Sequence, residues 1–387
     1  MSKRIYVQAQ ADHIASLSKA PPVSAIEELV WNALDADARE VRVDLLTNAL
    51  GAVEAVRVSD DGTGIDVLRA DSTFGSLGGS WKRTAAATGV AHRRLHGRHG
   101  RGRFKAFALG GRVEWRTTVR TGGEMLSYVL RGDIDEPGVF DLEPAGSAGP
   151  ATGTEVMVEN VRAACDSLLD AGETVQALAA KFALYLKSYP DVRIYFNGLP
   201  VTPVIVQKRT SDYRLSLPGG GEAKLEIIEW KRKFTGSGRI VFAGPDGFML
   251  HEQSALVRSG GASFTAYLVS PRFPALNAEN ALVMDELHPE VRACLDEAKK
   301  VMKAHFAALG SEASAGRIGG WIAEGSYPYG ASEESPDRAR FDKLAVELAG
   351  RFEPLAEMTP ADRGVVLRLL RHAMAAVPRG GLKEFLK

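Results

Sequence analysis

The sequence predicts an α+β fold, and three features of the chain support this prediction. An amphipathic helix around residues 21–38 is followed by two segments in which apolar and polar residues alternate, as they do in antiparallel strands. Further alternating segments lie between residues 112 and 160, and again between residues 192 and 270. From residue 289 onward apolar residues recur at helical spacing, so this part of the chain is expected to be helical.

Composition limits the range of functions. A chain of 387 residues is too long for one compact core and fits two or three domains. Its 48 basic residues balance 48 acidic ones, so no overall charge draws it to DNA, RNA or an anionic membrane, and any basic patch must be local. No segment approaches the roughly 20 apolar residues of a membrane helix, and the N-terminal residues form neither a secretory signal nor an anchor.

The two cysteines indicate a reducing compartment. Cys165 and Cys294 lie far apart without a paired motif, which excludes a disulfide framework. We expect both to be core residues and the protein to be cytoplasmic.

The first helix is expected to have a polar and an apolar face. Ser24, followed three residues later by Glu27, forms a capping-box pattern that predicts Ser24 at the N-cap. At 100° per residue, Glu28, Asn32 and Asp35 fall within about 60° of one another. The opposite side is apolar and contains Ile26, Leu29, Val30 and Ala33.

The polar face of this helix can support metal and proton chemistry. Two carboxylates and an amide one turn apart can hold Mg²⁺ through oxygen, orient a water molecule and accept its proton. A solvated helix face has the same composition and is the more common reason for it. The interpretation therefore needs support from the rest of the chain.

The remaining elements follow in order. Residues 40–46 and 52–60 alternate around a turn and predict a hairpin. Strands at 112–119, 125–132 and 153–160 precede a helix at 174–190, whose Tyr-Pro ending suggests a domain boundary. Later elements are strands at 192–201, 224–233, 238–250 and 264–270, a helix at 289–309, a linker at 325–336 and terminal helices.

A glycine-containing turn follows the strand that ends at Asp60. Gly62 and Gly64 lack a Cβ atom, so the backbone can approach a flat ligand, while the Asp60 carboxylate can accept a hydrogen bond from an exocyclic amine. In isolation this Asp-x-Gly-x-Gly pattern also fits a simple hairpin turn.

Residues 96–110, HGRHGRGRFKAFALG, combine glycines with basic side chains. Gly97, Gly100 and Gly102 precede an apolar helix that begins near Phe104, an arrangement in which consecutive N–H groups bind anions. An arginine-rich arm for nucleic acid would not need glycines at this spacing and would be interleaved with aromatic residues. We therefore favour a phosphate cradle, with a second use of the arginines at 98, 101 and 103 left open.

These motifs stand in a fixed order. Glu-x-x-x-Asn-Ala-x-Asp-Ala begins at Glu28, Asp-x-Gly-x-Gly at Asp60 and Gly-x-x-Gly-x-Gly-x-Phe at Gly97, and a Gly-Thr pair ends at Thr154. As an ordered set within residues 20–160, they resemble the GHKL ATPase superfamily of gyrase B, ninety-kilodalton heat-shock chaperones, histidine kinases, MutL and MORC proteins.

The resemblance implies a fold and a domain order. It implies a Bergerat-type ATP-binding α/β sandwich at 1–170, with a mixed, largely antiparallel sheet and helices on one face. A βαβ transducer-like domain is expected at 171–308, and a linker with a helical C-terminal region at 309–387. In those families a basic residue of the second domain reaches the γ-phosphate; Lys231, Lys233 and Arg272 are all candidates here.

The resemblance also implies residue roles. Glu28 matches the general base and Asn32 the Mg²⁺ ligand. The implied ATP-binding positions are Asp35, Asp60, Gly62, Gly64, Lys82, Gly97, Gly100, Gly102 and Thr154. Within that set, Asp60 would read the adenine amino group, and Thr154 would join the network around the base through water.

The function implied is Mg²⁺-dependent ATP binding and hydrolysis that drives lid closure and homodimerisation. Glu28 is present and no phosphoacceptor-histidine helix precedes the domain, which favours hydrolysis over histidine-kinase chemistry. We expect a DNA-associated clamp of the MORC or MutL kind. A protein-remodelling chaperone and a nucleotide-regulated scaffold with little turnover stay open, as do protein partners or effectors; no membrane partner is expected.

Overall fold

A computed structural model describes the chain in segments that together cover most of its length. The described residues are 3–6, 20–66, 88–91, 93, 95–96, 102–136, 139–147, 149–216, 221–234, 237–283, 288–330, 333, 335–352 and 354–376. The chain divides into two compact units. The first comprises Met1–Leu256 and Ala262–Ala298, and the second comprises Val257–Gly261 and Lys299–Lys387.

The first unit contains a nine-stranded mixed sheet in the order β1-β6-β5-β4-β7-β3-β2-β8-β9. Its strands are β1 (Lys3–Tyr6), β2 (Glu40–Thr47), β3 (Val53–Asp60), β4 (Gly110–Thr121), β5 (Glu124–Asp133), β6 (Val139–Pro144), β7 (Gly153–Val161), β8 (Arg193–Phe196) and β9 (Leu199–Pro200). The β2–β8 pair is parallel and the other pairs are antiparallel. The predicted α+β class, with a largely antiparallel sheet, is confirmed.

Helices pack against this sheet and contribute side chains to its hydrophobic core. They are α1 (Pro22–Asp35), α2 (Gly102–Lys105), which continues into a 3₁₀ turn at Ala106–Ala108, and α3 (Ala171–Ser188), which follows a second 3₁₀ turn at Ala163–Leu169. The apolar face predicted for α1 is buried, with Ile26, Leu29, Val30 and Ala33 all at most 4% exposed.

The capping box predicted at the start of α1 is wrong. The helix begins at Pro22, with Pro21 at the N-cap and no side-chain hydrogen bond to the cap. Ser24 therefore lies inside the first turn. Proline suits the first helical position because its fixed φ matches the helix and its missing N–H has no partner there.

A second, five-stranded sheet of the first unit has the order β10-β11-β14-β12-β13. Its strands are β10 (Gln207–Ser216), β11 (Glu222–Trp230), β12 (Arg239–Ala243), β13 (Met249–Ser254) and β14 (Ser263–Val269), accompanied by α4 (Pro203–Val206) and α5 (Phe273–Ala278). Helix α3 contributes to both sheets' cores: Leu178 and Phe182 pack in the first, and Ala180 and Leu184 in the second. This double burial explains its nearly continuous apolar sequence.

The second unit is helical. It contains most of α6 (Pro289–Ala323), then α7 (Arg338–Arg351), α8 (Pro354–Glu357) and α9 (Pro360–Ala376). Tyr327 and Tyr329, from the segment with linker-like composition, are buried in its core beside Phe341. In the part of the chain that the structure describes, no helix is both long and apolar enough to cross a membrane.

Both cysteines are buried and free, as predicted. Burial raises the pKa of Cys165 to about 11 and that of Cys294 to about 12, so both remain thiols at neutral pH. The domain boundaries expected at residues 170 and 308 stay predictions.

Candidate functional site

The polar face of α1 carries an ion pair at its centre. Lys105 Nζ, at the end of α2, donates a hydrogen bond to Glu28 Oε2 over 3.0 Å. One turn further along α1, Asn32 is partly buried, and no hydrogen bond joins its side chain to another described residue. An engaged carboxylate and an available amide therefore lie on the same side of the helix.

Asp35, the third residue of this face, is buried and holds a neighbouring segment. Its Oδ1 accepts a 2.7 Å hydrogen bond from the backbone N–H of His96. The His96 ring stacks on Trp31, with ring centroids 4.5 Å apart. The residue just before the glycine run is thus fixed to α1 by a carboxylate and by a ring stack.

A second attachment joins Val90, Ala91 and Arg93 to the end of α1. The Asp37 carboxylate accepts hydrogen bonds from the backbone N–H groups of Val90 and Ala91, at 2.8 and 3.2 Å. Arg93 is 4% exposed, and its guanidinium donates to the carbonyl oxygens of Ala38 and Asp37, at 2.7 and 3.1 Å. A guanidinium among the carbonyl groups at the end of a helix is electrostatically favourable.

Asp60 ends β3 with one carboxylate oxygen fully engaged. Oδ1 accepts hydrogen bonds from the backbone N–H groups of Gly62 and Thr154, at 2.8 and 3.3 Å. In contrast, no hydrogen bond joins Oδ2 to another described residue. The carboxylate is therefore oriented by the protein through one oxygen and can offer the other to a ligand.

The glycines after Asp60 make room for the protein's own backbone. A Cβ atom on Gly62 would lie 2.6 Å from the carbonyl oxygen of Ala36, at the end of α1. Gly64 has φ +76°, and its missing Cβ leaves space for the Thr118 carbonyl oxygen. The turn is thereby packed between α1 and β4, which brings Asp60 and the polar face of α1 to one region.

Thr154 lies in a hydroxyl network that the sequence did not reveal. It pairs with Asp60 across β3 and β7, and its Oγ1 lies 3.2 Å from Thr117 Oγ1 on β4. Thr117 is 2% exposed and also accepts a 2.7 Å hydrogen bond from the backbone N–H of Ile65. Its position follows from the Thr117–Thr154 register of β4 and β7, for which the sequence gives no local signal.

The surroundings of Asp60 alter its ionisation. Burial raises the pKa of its carboxyl from the ordinary 3.8 to about 6, against the lowering effect of the hydrogen bonds from Gly62 and Thr154. Titratable groups with strongly shifted pKa values are enriched at functional sites. Asp60 is still mostly ionised at neutral pH, so it can accept a hydrogen bond from a ligand.

Asn32, the predicted Mg²⁺ ligand, has a side-chain amide oxygen of the kind that binds Mg²⁺. The described residues contain no group of three or more His, Cys, Asp or Glu side chains that could hold a metal ion by themselves. A site at Asn32 would therefore offer a single amide oxygen, and the remaining ligands would come from water and ligand phosphates, as is common for Mg²⁺.

Three of the predicted ATP-binding residues, Lys82, Gly97 and Gly100, lie outside the described residues. Gly102 begins α2, two residues before the core residue Phe104.

The three basic residues considered for contact with the γ-phosphate, Lys231, Lys233 and Arg272, have different environments. Lys231 Nζ donates to the carbonyl oxygen of Ile205 at 2.7 Å, and Arg272 forms a 2.8 Å ion pair with Glu290. Lys233 is exposed. Which of the three would reach a bound phosphate stays open.

A chain of ion pairs connects α1 to the second sheet. Lys181 of α3 lies 3.6 Å from Glu27 Oε2 and 3.0 Å from Glu252 Oε2 on β13. Burial raises the pKa of Glu27, and Lys181 is the strongest influence opposing that shift. Glu27 immediately precedes Glu28, so the helix that carries the candidate base is linked electrostatically to the second sheet.

Part of the chain matches a known protein family. Residues 20–137 match the family model described as "Histidine kinase-, DNA gyrase B-, and HSP90-like ATPase". No curated protein matches the chain. The matched region includes α1, the Asp60 turn, α2 and the Thr117 strand. The family match and the fold together support placing this part of the chain in the GHKL ATPase superfamily.

Proposed function

We propose that the chain binds ATP between α1, the Asp60 turn and α2, and hydrolyses it with Mg²⁺. One observation carries this proposal: Asp60 is held through one oxygen by two backbone N–H groups and has no described partner on the other. An ionised acceptor fixed at the end of a strand suits the amino group of adenine. The family match over residues 20–137 supports the same conclusion.

Each group on the face of α1 has a proposed role. Glu28 accepts a proton from the attacking water, and Asn32 holds the metal through its amide oxygen. Mg²⁺, when bound, neutralises phosphate charge that develops during hydrolysis. Asp35 keeps its hydrogen bond to the backbone of His96, the residue that precedes the glycine run in the sequence.

A substitution at the proposed base tests hydrolysis. Glu28→Gln keeps the shape of the side chain but removes its ability to accept a proton, so ATP turnover should fall at least about 100-fold. Binding of ATP should persist. The exposed Glu54 provides the control, because Glu54→Gln removes the same charge elsewhere. Unchanged turnover in Glu28→Gln would reject general-base catalysis by this residue.

We further propose that ATP closes a lid and joins two copies of the chain into a DNA clamp of the MORC or MutL kind. The arginines at 98, 101 and 103 supply local basic charge in a chain with no net charge. The Glu27–Lys181–Glu252 chain offers a path from the nucleotide helix to a transducer-like second sheet.

DNA binding distinguishes this proposal from the alternatives. A clamp should bind duplex DNA more tightly with a nonhydrolysable ATP analogue, and salt should weaken that binding steeply. A chaperone would instead suppress aggregation of a client protein and show no nucleotide-dependent DNA binding. A scaffold would bind ATP with negligible turnover, and Glu28→Gln would then change nothing.

A further inference from the structure

The proposed base is engaged in the structure by a cation. Lys105 Nζ lies 3.0 Å from Glu28 Oε2, and the side chains are 34% and 13% exposed. A partly buried, charge-assisted hydrogen bond of this length engages one oxygen of the carboxylate. In this arrangement the ammonium group competes with a water molecule for Glu28 Oε2.

The backbone of Lys105 is fixed, whereas its side chain is long and flexible. Phe104 and Phe107 on either side of it are 0% and 1% exposed, and both rings pack against Phe140. Ala106 and Ala108 are buried as well. A change of partner at Lys105 therefore needs only rotation of the side chain, with α2 staying in place.

Lys105 is also close to where a terminal phosphate would lie. A base must approach its water to about 3 Å, and that water must lie about 3 Å from the phosphorus it attacks. Because Nζ lies 3.0 Å from Glu28 Oε2, these two steps place it within about 9 Å of that phosphorus, and rotation of the long lysine side chain can shorten this separation. A terminal phosphate carries more negative charge than one carboxylate and offers three acceptor oxygens, so it competes effectively for the ammonium group.

We propose that Lys105 is a positioning residue that leaves Glu28 for the terminal phosphate of bound ATP and so frees the base only when a triphosphate is present. This inference rests on the proposed ATPase function. ADP lacks the terminal phosphate, so Lys105 stays on Glu28 in the ADP complex. The ion pair then keeps the base inactive outside the ATP-bound state.

A binding cycle tests the exchange without relying on turnover. Calorimetry with ADP and with a nonhydrolysable ATP analogue is carried out on the unmodified chain, Lys105→Met, Glu28→Gln and the double variant. Lys105→Met should weaken binding of the analogue about tenfold and that of ADP less than about twofold, since only the analogue loses a charged hydrogen bond. Glu28→Gln should strengthen binding of the analogue several-fold by removing the competing carboxylate. The double variant should show no such gain.

Lys105→Arg is the matched control, because it keeps the charge and should retain most of the preference for the analogue over ADP. Thermal denaturation establishes that each variant is folded. Equal weakening of both nucleotides in Lys105→Met, or an unchanged affinity for the analogue, would overturn the inference while leaving the ATPase proposal intact. Failure of the unmodified chain to bind either nucleotide would instead overturn the proposed function itself.

Discussion

The ionisation and orientation of the Asp60 carboxyl group are the properties of the candidate site that are most directly testable. Its carboxyl combines a raised pKa of about 6 with a fixed orientation, because burial favours the neutral form while two backbone N–H groups hold Oδ1. Carboxyl groups with pKa values raised this far are enriched at functional sites. The sequence indicated the residue, but its ionisation depends on packing that only the fold defines.

Nucleotide affinity should therefore depend on pH around the pKa of Asp60. Only the ionised carboxylate accepts a hydrogen bond from the adenine amino group, so ATP binding should be about tenfold weaker at pH 5 than at pH 7. Binding of ATP measured at both pH values checks this expectation. Inorganic triphosphate, which has no base, serves as the control for pH effects on the phosphates.

Thr117 should support the base-binding network from the adjacent strand. Thr117→Val leaves the backbone N–H of Ile65 without its acceptor, so unfolding free energy should fall by about 1–3 kcal/mol and ATP affinity several-fold. Thr117→Ser should restore both. Thr118→Val is the matched control, because Thr118 bonds Ser127 on the opposite face of β4 and should leave ATP affinity unchanged.

At the level of elements, sequence patterns predicted most of the strands and missed β1, β6 and β10. β10 is an edge strand of the second sheet and is mostly exposed on both faces, so its sequence lacks an apolar period. β6 is only six residues long and ends at Pro144, so its alternation of apolar and polar residues is too short to identify a strand. Helix α1 and its polar face were predictable because the apolar residues on its back are continuous.

The contacts that join elements were not predictable in the same way. The Lys105–Glu28 pair spans 77 residues of sequence, and the Thr117–Thr154 pair follows from strand register. Arg93 is a similar case: a basic residue in a polar segment that the fold buries against the end of α1. None of these pairings leaves a local periodic signal.

Arg93 should contribute strongly to stability through its contacts with the end of α1. Arg93→Met would leave the carbonyl groups of Asp37 and Ala38 without this donor in a buried site, so unfolding free energy should fall by about 2–4 kcal/mol. Chemical denaturation measures the change. The neighbouring exposed Arg39→Met should alter stability by less than about 0.5 kcal/mol, and an equal effect of the two substitutions would contradict the assigned role.

At the scale of the whole molecule, the two compact units suggest separate tasks. The first unit contains the candidate site and both sheets, and the second is a helical unit with its own aromatic core. If ATP closes the lid and joins two copies, it must bind the closed state more tightly than the open one.

Light scattering should therefore show the mass doubling when Mg²⁺ and a nonhydrolysable ATP analogue are added. ADP should leave the mass unchanged, because it lacks the terminal phosphate. A mass that stays constant with both nucleotides would reject nucleotide-driven dimerisation but not ATP binding.

The most direct test of the central claim is calorimetric titration of ATP into the unmodified chain and into Asp60→Asn at pH 8. The amide would keep the hydrogen bonds to Oδ1 but present an NH₂ group to the adenine amino group, so measurable ATP binding should be lost. The same variant should be more stable to unfolding, by up to about 3 kcal/mol, because the difference between 3.8 and about 6 reflects the cost of burying the charge. That cost is absent below about pH 4 and grows as the pH rises to about 6, so the stability gain should vanish at low pH. Binding of ATP that is equally tight in both proteins, or absent from the unmodified chain, would contradict the account.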